Sequence, residues 1–167
     1  AALWEGRMTQ YGRSTDVYRH PVDEITARVY SDPPMNSVHV QKTGNALRFP
    51  DGQSVSLKMG LPDGDFRAGF RANHLRTVAA PALHVGFSAT LLATELTGSE
   101  TFIHVDALGE KWIGLVHGVP RFEIGQILDV YLDPKELFYF DQEGRFANAQ
   151  GHTYTTGSEC SYVSDHP

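Results

Sequence analysis

The sequence is poor in cysteine, in long hydrophobic runs and in positive charge. Cys160 is the only cysteine among 167 residues, so no disulfide can form within the chain, and a reducing, cytoplasmic setting fits. No apolar run approaches the ~20 residues that a membrane-spanning helix needs, and no segment has the pattern of a secretory signal. Only 14 Lys and Arg stand against 20 Asp and Glu. Nucleic-acid binders usually carry a basic stripe, so the composition disfavours that class.

The common catalytic motifs are missing too. A phosphate-binding loop needs a Gly-rich turn ending in Gly-Lys, and Gln41 stands before Lys42 instead. The stretch 86–90, Gly-Phe-Ser-Ala-Thr, lacks the second Gly of a nucleophile elbow. The eight histidines show no pair at the short spacing that metal sites favour, and Asp63 and Asp65 lie in a Pro/Gly turn, where local hydrogen bonds are expected. We therefore predict no catalytic residue, no metal ligand and no cofactor for this chain.

The chain opens on an apolar strand end, Leu3-Trp4, followed by a Gly turn, and is expected to be a piece of a longer protein. A helical connector is predicted next, over residues 14–36. Ser14-Thr15-Asp16 is a candidate N-cap cluster for a first short turn, and Pro21 suits the start of a second helix. Asp32-Pro33-Pro34 ends that helix, because a residue before Pro avoids helical geometry.

After Asn36 the pattern is that of short β-strands. Turns such as Thr43-Gly44-Asn45 and Asp51-Gly52 separate stretches in which apolar and polar residues alternate. These stretches are residues 38–40, 47–49, 55–59, 83–93, 101–105, 111–116, 127–132 and 137–140. Short strands at this spacing predict a mainly β fold, a small barrel rather than a sheet of alternating strands and helices. Residues 148–167 are predicted to be a loose polar tail, or an added strand around 153–155.

Four stretches of the sequence resemble one family. Residues 6–12 followed by 16–21 are similar to the Gly-Arg-Ile-x-Gln-x-Gly turn and the Tyr-x-x-Pro helix start at the exit of an ABC importer ATPase domain. Residues 31–36 resemble the Gly-Ser-Pro-x-Met-Asn linker of that family. Residues 95–101 resemble its Leu-Gly-x-Glu-Thr turn, and 133–141 its Asp-Pro-x-x-Leu-His-x-Phe-Asp ending.

Order and spacing match over roughly residues 5 to 146, and the resemblance is to the carbohydrate-import branch, the maltose and glycerol-phosphate type. One further stretch departs from the family pattern. Where the family has Gly-x-Arg-Pro-Glu-His, this chain keeps Gly69, Arg71 and His74 but loses the Pro and the Glu.

The resemblance implies a domain plan. Residues 1–34 would be the end of the nucleotide-binding domain and a helical connector. Residues 35–147 would form a regulatory domain of the TOBE or MOP-like type, an OB-like barrel with an additional β segment, and 148–167 the tail. ATP and Mg would bind elsewhere in the parent chain.

The resemblance also implies a role without chemistry, regulation and dimerisation of an ATP-binding subunit that imports sugars or related solutes. A second copy of the chain, the transporter's membrane subunits and a regulatory protein are the expected partners, and nucleic acid is not. The location would be cytoplasmic, on the inner face of the cell membrane.

Two places are predicted to carry this role. Phe138, Tyr139 and Phe140 in a row cannot all face one core, so one side is expected to be exposed or covered by a partner, which predicts a dimer surface. The turn of Gly98, Ser99, Glu100 and Thr101 offers the alternative, a small-ligand or oxyanion sensor whose backbone amides bind an anion without a metal. Arg71 is interpreted either as part of a buried structural ion pair, because a buried Arg needs partners, or as a cation on the barrel rim, and the structural interpretation is preferred.

Overall fold

The computed structural model describes residues 1–79 and 85–147. The chain begins with a hairpin of β1 (Ala2–Trp4) and β2 (Arg7–Gln10), followed by two short helices, α1 (Ser14–Arg19) and α2 (Glu24–Val29). Both predicted helical segments are therefore present.

The two helices differ in how they start. The Asp23 side chain caps α2, because its carboxylate accepts a hydrogen bond from the Thr26 amide at 2.7 Å. Arg13 occupies the N-cap position of α1 without a side-chain hydrogen bond, so the predicted cap cluster of Ser14, Thr15 and Asp16 lies inside the first turn instead.

Five strands form an antiparallel sheet. In spatial order they are β11 (Phe138–Phe140), β6 (Gly64–Phe70), β3 (Asn36–Thr43), β4 (Ala46–Arg48) and β5 (Ser54–Ser56). The predicted turns at Gly44 and Gly52 connect β3 to β4 and β4 to β5. Strand β6 lies next to the centre of the sheet and was missed by the sequence analysis, since its two glycines and its charged residues weaken the apolar alternation of Phe66, Ala68 and Phe70.

The other large sheet has four antiparallel strands. They are, in spatial order, β10 (Ile127–Leu132), β7 (Val85–Thr97), β8 (Glu100–Ala107) and β9 (Glu110–His117). A register shift between Leu91 and Ala93 leaves Leu92 as an extra residue in β7, which is how a β-bulge accommodates an apolar residue out of phase. The start of the predicted strand at Leu83 lies outside the described residues.

One hydrophobic core fills the space between the two sheets. Trp112 is its largest buried side chain and meets Phe70 and Phe87 edge to face, with ring centroids 5.0 and 5.6 Å apart. The prediction of a mainly β fold is confirmed.

Side chains join the two sheets at a seam between β3 and β9. The Asn36 amide donates to the Ile113 carbonyl at 2.8 Å, its oxygen accepts from the Ile113 amide at 2.7 Å, and Trp112 Nε1 donates to the Ser37 carbonyl at 3.2 Å. At the other side, Arg76 and Tyr131 exchange backbone hydrogen bonds of 2.8 and 3.0 Å. In the described residues no strand pairing joins the two large sheets, so the predicted small barrel is not closed, and these hydrogen bonds and the shared core connect the sheets instead.

Within residues 1–79 and 85–147, neither helix has the length and apolar character that spanning a bilayer requires. The predicted tail over 148–167, with its candidate strand at 153–155 and with Cys160, lies outside the described part of the chain.

Candidate functional site

The two faces of strand β11 contact different parts of the chain. One face packs on the core between the sheets, and the other packs on the helical connector. The region where the connector meets β6 and β11 is called the joint below. Tyr139 is 2% exposed and belongs to the main core, where its hydroxyl donates to the Pro134 carbonyl at 2.7 Å and burial raises its pKa. Phe140 is 0% exposed and points the other way, into a second cluster with Ala27 of α2 and Met35. The connector therefore covers the outer face of the strand.

This arrangement corrects the predicted dimer surface. Tyr139 and Phe140 are buried within one chain, so a second copy cannot reach them in this fold. Phe138 is half-buried and keeps part of its ring accessible. The sequence argument correctly expected an apolar face beyond the main core, but its cover comes from this chain's own residues 27 and 35.

The connector comes unusually close to the sheet at Gly69. A Cβ on this residue would lie 2.6 Å from the Met35 Cε and 3.0 Å from a Phe140 ring carbon. Contacts this short are not tolerated without movement, so Gly69 lets Met35 seat against β6 and β11.

Arg71 occupies the centre of the joint. It is 5% exposed, and its Nε donates to the Ser31 hydroxyl at 3.2 Å while Nη2 donates to the Tyr18 carbonyl. Its Cζ lies 3.5 Å from the centre of the Tyr18 ring and 4.6 Å from that of the Phe138 ring. No carboxylate in the described part of the chain forms an ion pair with it, and burial lowers its pKa. The expected burial of Arg71 is therefore confirmed, but the expected ion pair is wrong for the described residues, where aromatic rings take the place of an anion.

His74 also contacts Phe138. The two rings stack with centroids 6.3 Å apart and an interplanar angle of 17°. His74 Nδ1 is buried and has no hydrogen-bond partner among the described residues. Burial lowers the pKa of His74, nearby Arg71 and Arg76 lower it further, and Glu136 opposes them. Pairwise contacts thus link Tyr18, Arg71, Phe138 and His74.

The segment after β11 holds α2 from its other end. The Glu24 amide donates to the Gly144 carbonyl at 2.9 Å, and the Phe146 amide donates to the Val22 carbonyl at 3.0 Å. Asp141 shapes this segment by accepting hydrogen bonds from the backbone amides of Glu143 and Arg145 at 3.0 and 2.9 Å. Connector and sheets are thus bound together by backbone as well as side chains.

The predicted anion-binding turn is a tight hairpin between β7 and β8. Gly98 has a φ of +64°, a conformation that favours glycine. The Ser99 carbonyl accepts from the Gly118 amide at 2.8 Å, and the buried Thr101 hydroxyl donates to the Gly118 carbonyl at 2.8 Å. The Glu100 carboxylate contacts His117 Nδ1 at 3.2 Å and places negative charge beside the turn. Anion binding by residues 98–101 stays a prediction.

The remaining acidic residues do not assemble a metal site. In residues 1–79 and 85–147 no group of three His, Cys, Asp or Glu side chains lies close enough to hold a metal ion. Asp63 does not make the expected local turn bonds. It accepts from Lys42 Nζ at 3.1 Å and from the Gly44 amide at 2.8 Å, and these bonds lower its pKa.

Several large apolar side chains of the first hairpin and of α2 are exposed in the described residues. Leu3 and Met8 face each other across the first hairpin and are 62% and 61% exposed, and Trp4 is also exposed. Ile25 and Val29, four residues apart on α2, are exposed as well. The name hairpin–helix surface is used below for these five residues. The opposite side of the hairpin packs on α2, where Thr26 donates to the Thr9 hydroxyl at 2.9 Å.

No family model matches this chain, but it is similar in sequence to part of several ATP-binding proteins of transporters. A protein of Mycoplasma pneumoniae that carries the description ABC transporter ATP-binding protein is 28% identical over 138 residues, 83% of this chain and 23% of the relative. The sn-glycerol-3-phosphate import ATP-binding protein of Yersinia enterocolitica is 28% identical over 146 residues, 83% of this chain and 40% of the relative. The maltose/maltodextrin import ATP-binding protein of Salmonella typhimurium is 25% identical over 150 residues, again 83% of this chain and 40% of the relative.

Among solved structures, a cytoplasmic molybdate-binding protein with molybdate bound overlaps 62% of this chain and 94% of its own, with 12% identity and a TM-score of 0.45. The three sequence relatives are much longer than this chain, because the matched region spans 40% or less of each relative's length. The resemblance predicted from the sequence is confirmed: over most of its length, this chain is related to a part of the ATP-binding subunits of ABC importers.

Proposed function

We propose that this chain is the non-catalytic regulatory domain, together with its connector, of an ATP-binding subunit that serves the import of sugars or related solutes. The similarity to the import proteins covers 83% of the chain and therefore includes residues from both connector and sheets. ATP and magnesium would bind in another part of the parent subunit. In this proposal the subunit works on the cytoplasmic side of a membrane, against the transporter's membrane subunits.

The observation that carries the proposal is the joint with its neighbouring hairpin–helix surface. The connector packs on the β sheets and also exposes apolar side chains. This combination is expected of a domain that contacts another part of a larger subunit. Leu3, Met8 and Val29 are each the kind of side chain whose full burial contributes about 1.5–3 kcal/mol. We assign the hairpin–helix surface to contact with the ATP-binding part of the subunit.

The proposed role is mechanical. The domain would keep two ATP-binding subunits associated while they open and close, and it would receive a regulatory protein. Because Tyr139 and Phe140 are interior, the dimer contact must use other residues. The mass of the chain in solution, measured by light scattering across a dilution series, tests self-association directly. A stable dimer supports a contact made by this domain itself, and a monomer at all concentrations moves the contact to other parts of the subunit.

A domain exchange tests the proposal as a whole. The matching region of the Yersinia enterocolitica glycerol-3-phosphate import ATP-binding protein is replaced by this chain, and ATP hydrolysis is measured with the chimera and with this chain alone. We expect the chimera to hydrolyse ATP and the chain alone to hydrolyse none. Leu3→Asp should weaken the chimera by disrupting the hairpin–helix surface, whereas Ser56→Asp, on an exposed strand edge, should not. Hydrolysis by the chain alone would refute the proposal, and so would equal effects of the two substitutions.

A further inference from the structure

We propose that Arg71 is a pin that sets the orientation of the helical connector against the β sheets, and that it does so through two aromatic faces instead of an ion pair. The pin goes beyond the regulatory role proposed above, because it concerns how the two parts of this chain move relative to each other. It holds whether or not the chain serves a transporter.

The position of Arg71 in the fold supports this role. It directly follows β6, next to the fully buried Phe70, so its backbone is anchored in the sheet. Its side chain reaches three separate segments: Tyr18 in α1, Ser31 after α2, and Phe138 in β11. Ser31 in turn donates to the Ala27 carbonyl at 2.7 Å, which ties the same guanidinium to the end of α2.

The chemistry of these contacts is specific for arginine. A guanidinium is planar and weakly hydrated, so it can lie between two rings and still donate hydrogen bonds at its edge. The Cζ atom of Arg71 lies 3.5 Å from the centre of the Tyr18 ring and 4.6 Å from the centre of the Phe138 ring, so both rings contact the guanidinium. A lysine ammonium keeps the charge but cannot stack on two faces or bridge Ser31 and Tyr18 in one plane.

Helices α1 and α2 depend on the pin to different degrees. Backbone hydrogen bonds to Gly144 and Phe146 hold the start of α2 independently of Arg71. Helix α1 contacts Arg71, which directly follows β6, through the carbonyl and the ring of Tyr18. Loss of the pin should therefore free α1 first and leave α2 and the sheets in place.

Spin-label distances test the pin in the whole chain. Cys160→Ser removes the single cysteine, and Thr15→Cys in α1 with Thr90→Cys in β7 places two labels at exposed positions. The variants are Arg71→Lys and Tyr18→Leu, and Tyr18→Phe is the matched control because it keeps the ring and the backbone carbonyl. We expect one narrow distance distribution for the parent and for Tyr18→Phe, and a distribution at least about twofold broader for Arg71→Lys and Tyr18→Leu.

Three results would overturn the pin. Narrow distributions in all variants would show that other contacts set the orientation of α1. Equal broadening in Tyr18→Phe and Tyr18→Leu would show that the ring face does not matter. Broadening accompanied by loss of β structure in circular dichroism, for the partly exposed Tyr18→Leu as well as for Arg71→Lys, would show that these residues support the whole fold and not the connector alone.

Discussion

Asn36 offers a sharp test of how the two sheets are held together. It is 6% exposed, and its side-chain amide makes two hydrogen bonds with Ile113, donating to the carbonyl at 2.8 Å and accepting from the amide at 2.7 Å. It thereby pairs the backbone of β9 where no neighbouring strand in the described residues does so. Asn36→Ala removes both bonds without disturbing the backbone of β3.

The magnitude follows from those two bonds. A typical hydrogen bond contributes about 0.5–1.5 kcal/mol net, so the pair contributes about 2 kcal/mol. The loss is larger if water does not replace Asn36 as the partner of the Ile113 amide and carbonyl. For a chain of this size that loss corresponds to a fall in melting temperature of about 4–8 °C. Asn36→Asp should cost more at neutral pH, because a carboxylate would face the Ile113 carbonyl in a buried position.

The Asp variant also carries a pH signature. A protonated carboxyl can donate to the Ile113 carbonyl while its other oxygen accepts from the amide, so the folded chain would raise the pKa of Asp at this position. The stabilisation from the neutral form is present at low pH and is lost as pH rises through that raised pKa. The deficit of Asn36→Asp relative to the parent should therefore be smaller near pH 4 than at pH 8.

Urea unfolding followed by Trp112 fluorescence measures the free energy of unfolding of the parent and of both Asn36 variants at each pH. Trp112 is a suitable probe because it is buried and donates a hydrogen bond to Ser37 at the same seam. Gln41→Ala, exposed on the same strand, is the control and should change the free energy of unfolding by less than about 0.5 kcal/mol. If Asn36→Ala behaves like the control, or if the deficit of Asn36→Asp does not depend on pH, the side-chain seam does not hold the sheets together.

Three further predictions concern the joint, each measured as thermal or urea unfolding. Burial lowers the pKa of His74 below its ordinary value of 6.5, so unfolding stability should fall as pH drops below about 6.5, where the unfolded chain takes up a proton that the folded chain resists. His74→Phe should remove that part of the pH dependence, and an unchanged profile would refute it. Gly69→Ala should lower the free energy of unfolding by about 1 kcal/mol through overpacking, and should cost clearly less in a Met35→Ala background, where only the tight contact with the Phe140 ring remains; a similar cost in both backgrounds would rule out the Met35 contact as its main cause. Phe140→Ala should cost about 3–5 kcal/mol, clearly more than Phe138→Ala, because only Phe140 is fully buried; equal costs would contradict the deeper burial of Phe140 against Ala27 and Met35.

Local patterns in the sequence were sufficient to predict strands and turns that are formed by residues close together in the chain. The period of two in 127–132 matches β10 residue for residue, and the turns at Gly44 and Gly52 lie between paired strands as predicted. Such patterns work because alternate side chains of a strand face opposite sides and because tight turns need residues that adopt positive φ.

Local patterns failed to predict the contacts of a residue whose neighbours in space are distant in the sequence. Apolar residues in β11 were correctly expected to face two ways, but nothing local indicates that Ala27 and Met35 cover one of those faces. The two hydrogen bonds of Arg71 join residues 40 and 53 positions apart, and no motif marks them.

The sequence by itself determined the class of the fold, the two short helices, most strands, the absence of common catalytic motifs and the resemblance to importer subunits. These features depend on local preferences and on motif order, both of which can be read along the chain. Only the tertiary structure decided that the connector packs on the sheets, that Arg71 contacts two aromatic rings, and that Tyr139 and Phe140 are interior. Burial and partnership depend on which distant segments meet, and that choice is made by the packing of the whole chain.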